Sequence, residues 1–274
     1  RMAVDDPSRL LLRWIGALGR TVDCGWSEAQ TQAFQAICKR DYSFDPVKDG
    51  LVHAQDRLVA AEGAWSQVWN RFAEAPRVYP EVVKALETVQ PDELLGRTNV
   101  RIPSVNERLE GELRRGLLGL GALSEAEARK ALARLVASHR ERIAGPWAIL
   151  GRALLAEAVV HLGEMLDAMA RQRAGNDAAS LAADYQEEGW KIDATARRAF
   201  AQVRDKADMD AVTAAIRAVY LPWLETQAER VQTAWNQGGH GAASESPVRP
   251  SEAGTVWLFI DGLRADLALE LRAR

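Results

Sequence analysis

Apolar residues recur every three to four positions along most of this chain, the period of an amphipathic helix. Leu11, Trp14, Ile15 and Leu18 share one face, and Asp6-Pro7 ahead of them reads as an N-cap followed by proline at the first helical position. Asp45-Pro46 repeats that signal and opens a helix that continues, or restarts near Gly63, through Leu58, Ala61, Trp65, Val68, Trp69 and Phe72. Ser27 with Gln30, Ser104 with Glu107 and Ser124 with Glu127 have capping-box spacing, and a periodic apolar run follows each. A long stripe after Gly145-Pro146 passes through Trp147, Leu150, Leu154, Ala158, Leu162, Met165 and Met169 until Gly175-Asn176-Asp177 breaks it. Leu181, Tyr185, Ile192, Ala196, Phe200 and Val203 carry the next face, with Glu188 as its one charged defect. The last stripe, Val212, Ile216, Val219, Tyr220, Trp223, Val231 and Trp235, contains Pro222, which is expected to kink or split that helix. No period-2 strand is found up to residue 236, so residues 1–236 are predicted to be all-helical.

The pattern changes after Trp235. Residues 237–254 are rich in Gly, Ser, Ala and Pro without apolar periodicity, and read as a flexible linker. Thr255-Val256-Trp257-Leu258-Phe259-Ile260 then reads as a strand buried on both faces. Asp261-Gly262 turns the chain, and Leu263, Leu267, Leu269 and Leu271 open another helix. A strand–turn–helix unit begins an α/β domain and does not complete one. The expected fold class is therefore mainly α, a multi-helix domain followed by the first strand and helix of a truncated α/β domain at residues 255–274. The chain reads as a fragment, and its first residue, Arg1, agrees with that reading.

Composition narrows the class. The 274 residues are 47% hydrophobic and 27% charged, which excludes a wholly disordered chain. No apolar run approaches the roughly 18–20 residues of a membrane-spanning helix, and the first residues lack a signal-peptide core. Two cysteines, Cys24 and Cys38, fit a reducing cytoplasm better than a disulfide framework. A net charge of −3 argues against a surface that coats nucleic acid generally. Arg101, Arg108, Arg114, Arg115, Arg129, Arg134, Arg140 and Arg142 could line a local basic face. Intermixed Glu107, Glu110, Glu112, Glu125, Glu127 and Glu141 favour a solvated, salt-laced one.

Asp261 carries the main candidate chemistry. It stands at the carboxyl end of the expected strand, where open α/β sheets place ligands and where a carboxylate can hold a metal. Gly262 allows a tight turn, and Arg264 and Asp266, in the first helical turn, could orient Asp261. On spacing alone, an Asp-Gly after an apolar strand is more often a turn than a site.

The segment Thr255-Val-Trp-Leu-Phe-Ile-Asp-Gly-Leu-Arg-Ala-Asp-Leu-Ala-Leu-Glu-Leu271 resembles the opening of the PglZ domain, a branch of the alkaline phosphatase superfamily. Such domains begin with an apolar strand ending in Asp, then Gly or Ala, Leu, Arg, any residue, Asp. The helical region, with Gly-Pro-Trp147 and Tyr220-Leu-Pro-Trp223-Leu, is similar to the region upstream of that domain in type B PglZ proteins of BREX phage-defence systems. The resemblance implies that Asp261 is a ligand of a divalent metal (Zn, Mn or Mg) in a full-length, metal-dependent phosphoesterase, with a nuclease as one form of that activity. The family's nucleophile and remaining ligands lie downstream of residue 274, so no catalytic residue and no bound cofactor is expected within this fragment. It further implies an interaction or scaffold role, with BREX partners such as a PglX-type DNA methyltransferase, DNA contact through the full complex, and no membrane.

Other residues have simpler roles open to them. Glu157, His161 and Glu164 share a helical face as metal ligands can, but no matching Glu-x-x-His exists for a di-metal bundle, so a polar flank is the plainer reading. They define the alternative of a helical metalloenzyme; an unrelated cytosolic helical adaptor is the other alternative. His53, His139 and His240 stand alone and read as surface or capping histidines. Gly116, Gly119 and Gly121 follow a helix and read as its C-terminal turn. Cys38 reads as a small buried hydrophobe. Of nine tryptophans, Trp14, Trp65, Trp69, Trp147, Trp223 and Trp235 fall on core stripes, whereas Trp26 and Trp190 are candidates for exposure.

Overall fold

The computed structural model describes residues 6–91, 99–173, 175, 177–237, 254 and 262–273. Among these the chain is mainly helical, with no strand. The expected strand at 255–260 and Asp261 lie outside the described residues, as does most of the expected linker.

The helices are α1 (Pro7–Gly16), α2 (Glu28–Tyr42), α3 (Gly50–Ala60), α4 (Trp65–Glu74), α5 (Pro80–Glu87), α6 (Pro103–Gly119), α7 (Glu125–His139), α8 (Pro146–Ile149), α9 (Leu154–Arg171), α10 (Ala178–Asp184), α11 (Trp190–Gln202), α12 (Lys206–Ala215), α13 (Leu221–Asn236) and α14 (Ala265–Ala273). They form two compact units, one of residues 1–113 and 141–156, the other of residues 114–140 and 157–274.

Local chemistry explains most helix starts. Asp6 caps α1 by accepting from the Ser8 N–H at 3.0 Å, and full capping boxes form at Ser27/Gln30 and Ser124/Glu127. Ser104 does not cap. Pro103 already begins α6, so Ser104 falls inside the first turn, and Glu107 is taken up instead by Arg152. Asp45-Pro46 does not open a helix either. Asp45 accepts from the N–H groups of Val47 and Lys48, holding a turn, and α3 begins only at Gly50, whose φ of +75° suits glycine. Ala61, in the left-handed region, ends α3 and the helix restarts at Trp65.

In the first unit the core is aromatic. Trp14 packs against Phe34 and Phe44 at 6.0 and 5.7 Å between centroids, and Phe44 meets the edge of Trp65 at 5.5 Å. The second segment contributes Trp147, 3% exposed, whose indole N–H donates to the Val100 carbonyl at 3.0 Å and whose ring meets Phe72. The expected stripe from Trp147 to Met169 is two helices, because Gly151 at φ +72° breaks it before α9. Arg142, also from that segment, is buried and donates to Glu110 and to the Asn106 side chain, both at 2.7 Å.

In the second unit, Leu117, Leu132, Leu162, Met165, Ile192, Val212, Val219 and Trp223 are buried. Gly163 admits Val136 so closely that a Cβ there would lie 2.7 Å from a valine methyl. Two π-helical turns interrupt the helices, Tyr185–Gly189 before α11 and Ile216–Tyr220 before α13. The second stands just ahead of Pro222, whose missing N–H and ring bulk forbid the normal i−4 bond; the wider turn absorbs the expected split. Glu188 is no defect in practice, since it sits in the first π turn and pairs with Arg171 at 3.0 Å and Lys191 at 2.7 Å.

Candidate functional site

Arg264 and Asp266 come together at the start of α14. Asp266 is 1% exposed, yet it accepts from Arg197 Nε at 2.7 Å and from Arg264 Nε at 3.0 Å. Burial opposes its ionisation, but the two guanidiniums outweigh that and hold its carboxyl below the usual aspartate range. One helical turn on, Glu270 receives Arg198 at 2.8 Å and Arg197 at 3.0 Å, and these two bonds push it down to about 2. Arg197 therefore bridges two carboxylates of α14, and α14 is tied to α11 by charge-assisted bonds.

Sequence reasoning missed the neighbouring cluster. Asp193 of α11, largely buried, accepts the Tyr185 hydroxyl on one oxygen and the Tyr220 hydroxyl on the other, both at 2.7 Å. Burial raises both tyrosine hydroxyls above their ordinary range, and the Asp193 bond and charge raise them further. Each tyrosine belongs to a π turn, so one carboxylate clasps both irregular turns. Arg264, its guanidinium held chiefly by Asp266, also feels the charge of Asp193. A cavity of about 390 Å³ opens beside the clasp, walled by Tyr185, Asp193, Trp223, Gln172 and Gln227. The Trp223 indole N–H donates to Gln172 at 2.7 Å, which fixes the amide edge of that wall. The sequence holds no hint of it beyond Asp193 standing next to Ile192, a member of the stripe that also holds Tyr185.

The alternative metal set does not assemble. His161 Nδ1 meets Glu164 at 2.9 Å and Nε2 meets the Gln202 amide at 3.3 Å, so both ring nitrogens face side chains. Among the described residues no group of three His, Cys, Asp or Glu side chains is placed to hold a metal.

The remaining candidates resolve individually. His53 is an exposed residue that accepts from Arg57, whereas His139, the last residue of α7, is buried and so is not a surface histidine. His240 lies outside the described residues. Cys24 and Cys38 are both buried and unbridged, and burial pushes the Cys38 thiol up to about 12, far from a nucleophile at neutral pH. Trp235, expected in the core, is 53% exposed, while Trp26 and Trp190 are half-buried. Of the arginines of the expected basic face, Arg108, Arg114, Arg129 and Arg142 form ion pairs and Arg101 lies over the Trp69 ring. No helix among the described residues is long and apolar enough to cross a membrane.

Compared with known proteins, the chain matches no family model, no curated protein and no solved structure.

Proposed function

We propose that residues 1–236 are the helical interaction scaffold of a PglZ-like, BREX-type defence protein, and that residues 255–271 open its phosphoesterase domain. The observation that carries this reading is the double clamp on α14. Asp266, the last motif position, pairs with both Arg264, the motif arginine, and Arg197, and Glu270 joins Arg197 and Arg198. A helical region serving as a scaffold needs such a grip on the first helix of the domain it carries.

In this reading Asp261 is a ligand of a divalent Zn, Mn or Mg ion, which when bound would stabilise charge on a phosphoryl oxygen. One carboxylate, with no three-ligand group among the described residues, does not make up such a centre, so no catalytic step is assigned to residues 1–274. The scaffold would hold the domain against other defence components, a PglX-type DNA methyltransferase among them, and DNA contact would come through that assembly.

The reading is tested by extending the sequence as its gene encodes it. A continuation rich in strand-end Asp and His residues is expected, with metal-dependent hydrolysis of bis-p-nitrophenyl phosphate that Asp261→Asn abolishes. A stop codon after Arg274, or full hydrolysis by the Asn variant, overturns it.

A further inference from the structure

We infer that the groove between α1 and α5 of one copy receives helix α13 of a second copy, so that the chain associates with itself head to tail. The inference rests on reading the helical part as an interaction scaffold; it does not use the PglZ resemblance.

The groove is an open cavity of about 730 Å³ whose wall includes Leu10, Leu18, Val78 and Tyr79. Leu18 and Val78 are 48% and 69% exposed. Leu18 has a φ of +52°, where a leucine is rarely found. The turn that ends α1 there leaves this apolar side chain exposed on the groove wall rather than in the core.

The rim is cationic. Arg20 pairs with Asp23 at 2.7 Å and Lys84 with Glu81 at 3.0 Å, which neutralises those four residues. Arg9 and Arg13 are exposed and have no carboxylate partner among the described residues; Arg13 only overlies the Trp26 ring, at 6.0 Å. They stand one turn apart on α1, about 6 Å along its axis.

Helix α13 supplies the complement. Leu221, Leu224 and Val231 are 38%, 41% and 52% exposed and lie on one stripe, with the exposed Ala228 between them. Beside the stripe stand Glu225 and Glu229, also exposed, also one turn apart, and also without a cationic partner among the described residues. Two carboxylates thus match two guanidiniums in spacing, and an apolar stripe matches an apolar trough, the arrangement by which a helix lies in a groove. Exposed ion pairs contribute little each; the apolar surface supplies attraction and the charges set the register. Because groove and helix are different surfaces, every copy carries both halves of the contact, and association runs on from copy to copy unless the rotation between them closes it.

Sedimentation velocity of the whole chain tests this. The average mass is expected to rise as protein concentration goes from low to high micromolar, and less steeply when salt rises from about 50 to 300 mM. R9E/R13E and E225R/E229R are each expected to weaken association about tenfold or more, because each places like charges in the contact. An equimolar mixture of the two restores it, since each groove then faces the opposite charge on the other variant. L18D weakens association while leaving α13 untouched. All these side chains are exposed, so melting temperatures serve as the folding control. A chain of monomer mass throughout, association that survives both charge variants, or a mixture that fails to associate overturns the proposal.

Discussion

Asp193 shows how much one side chain can organise when its neighbours are irregular. Its two oxygens are each occupied by a tyrosine hydroxyl, and both tyrosines lie in π turns, where one extra residue per turn shifts the register of everything that follows. That shift is why the cluster was illegible. A reading at 3.6 residues per turn places Tyr185 and Tyr220 on apolar faces and treats Asp193 as a polar neighbour of Ile192. Asp193→Asn keeps one good acceptor but turns an amide N–H₂ toward the other hydroxyl, at an expected cost of about 1–3 kcal/mol. The same change removes the negative charge that, after burial, raises both phenols. Loss of that charge lowers their pKa values, so ultraviolet titration should show more tyrosinate in the variant than in wild type at about pH 11. Superimposable titration curves would mean that the carboxylate does not govern these hydroxyls.

Among the elements, helix starts were legible wherever the cap was local. The Asp6, Ser27 and Ser124 caps needed only residues within three positions. Ser104 failed because a proline took the first helical position and a distant arginine, Arg152, recruited the glutamate of the box. No pattern within one helix reports such a partner. The docking of α14 belongs to the same class, since its period predicted a helix from Leu263 onward but not the α11 arginines that hold it. Those bonds set a pH dependence. Glu270 falls to about 2 in the folded chain, through Arg198 and Arg197, against roughly 4.3 for an unfolded glutamate. A lowered folded pKa contributes stability that is complete above the unfolded value and lost as pH falls through the folded one. Amide exchange within α14 should therefore be faster in Glu270→Gln than in wild type at pH 7, and the difference should close between about pH 4.3 and 2. Equal protection in the two proteins at pH 7 would show that the Glu270 bonds contribute nothing to holding α14.

For the molecule as a whole, the sequence suggested one helical region, and its period gave no sign of two units. Each unit is assembled from separated stretches, and helical period is a local property that carries no information about which distant stripes meet. In the first unit the later stretch, residues 141–156, brings in two side chains that the earlier one cannot replace. Trp147 closes the aromatic core, and removing a buried tryptophan of this kind costs about 3–5 kcal/mol. Arg142 donates to Glu110, which burial already pushes above the ordinary glutamate range even with that arginine beside it. Without the guanidinium Glu110 would be a buried carboxylate lacking its cation, a loss of about 3–5 kcal/mol. Together these terms are comparable with the whole stability of an ordinary domain, about 5–15 kcal/mol. A polypeptide of residues 1–113 should accordingly lack a cooperative thermal transition by circular dichroism, although it contains α1 to α5 intact. Adding a peptide of residues 141–156 in excess should restore part of that transition, and a peptide with Trp147→Ala and Arg142→Met should not. A sharp melt of residues 1–113 alone, near the wild-type temperature, would show that α1–α5 form a self-sufficient core and that Trp147 and Arg142 are ornaments on it.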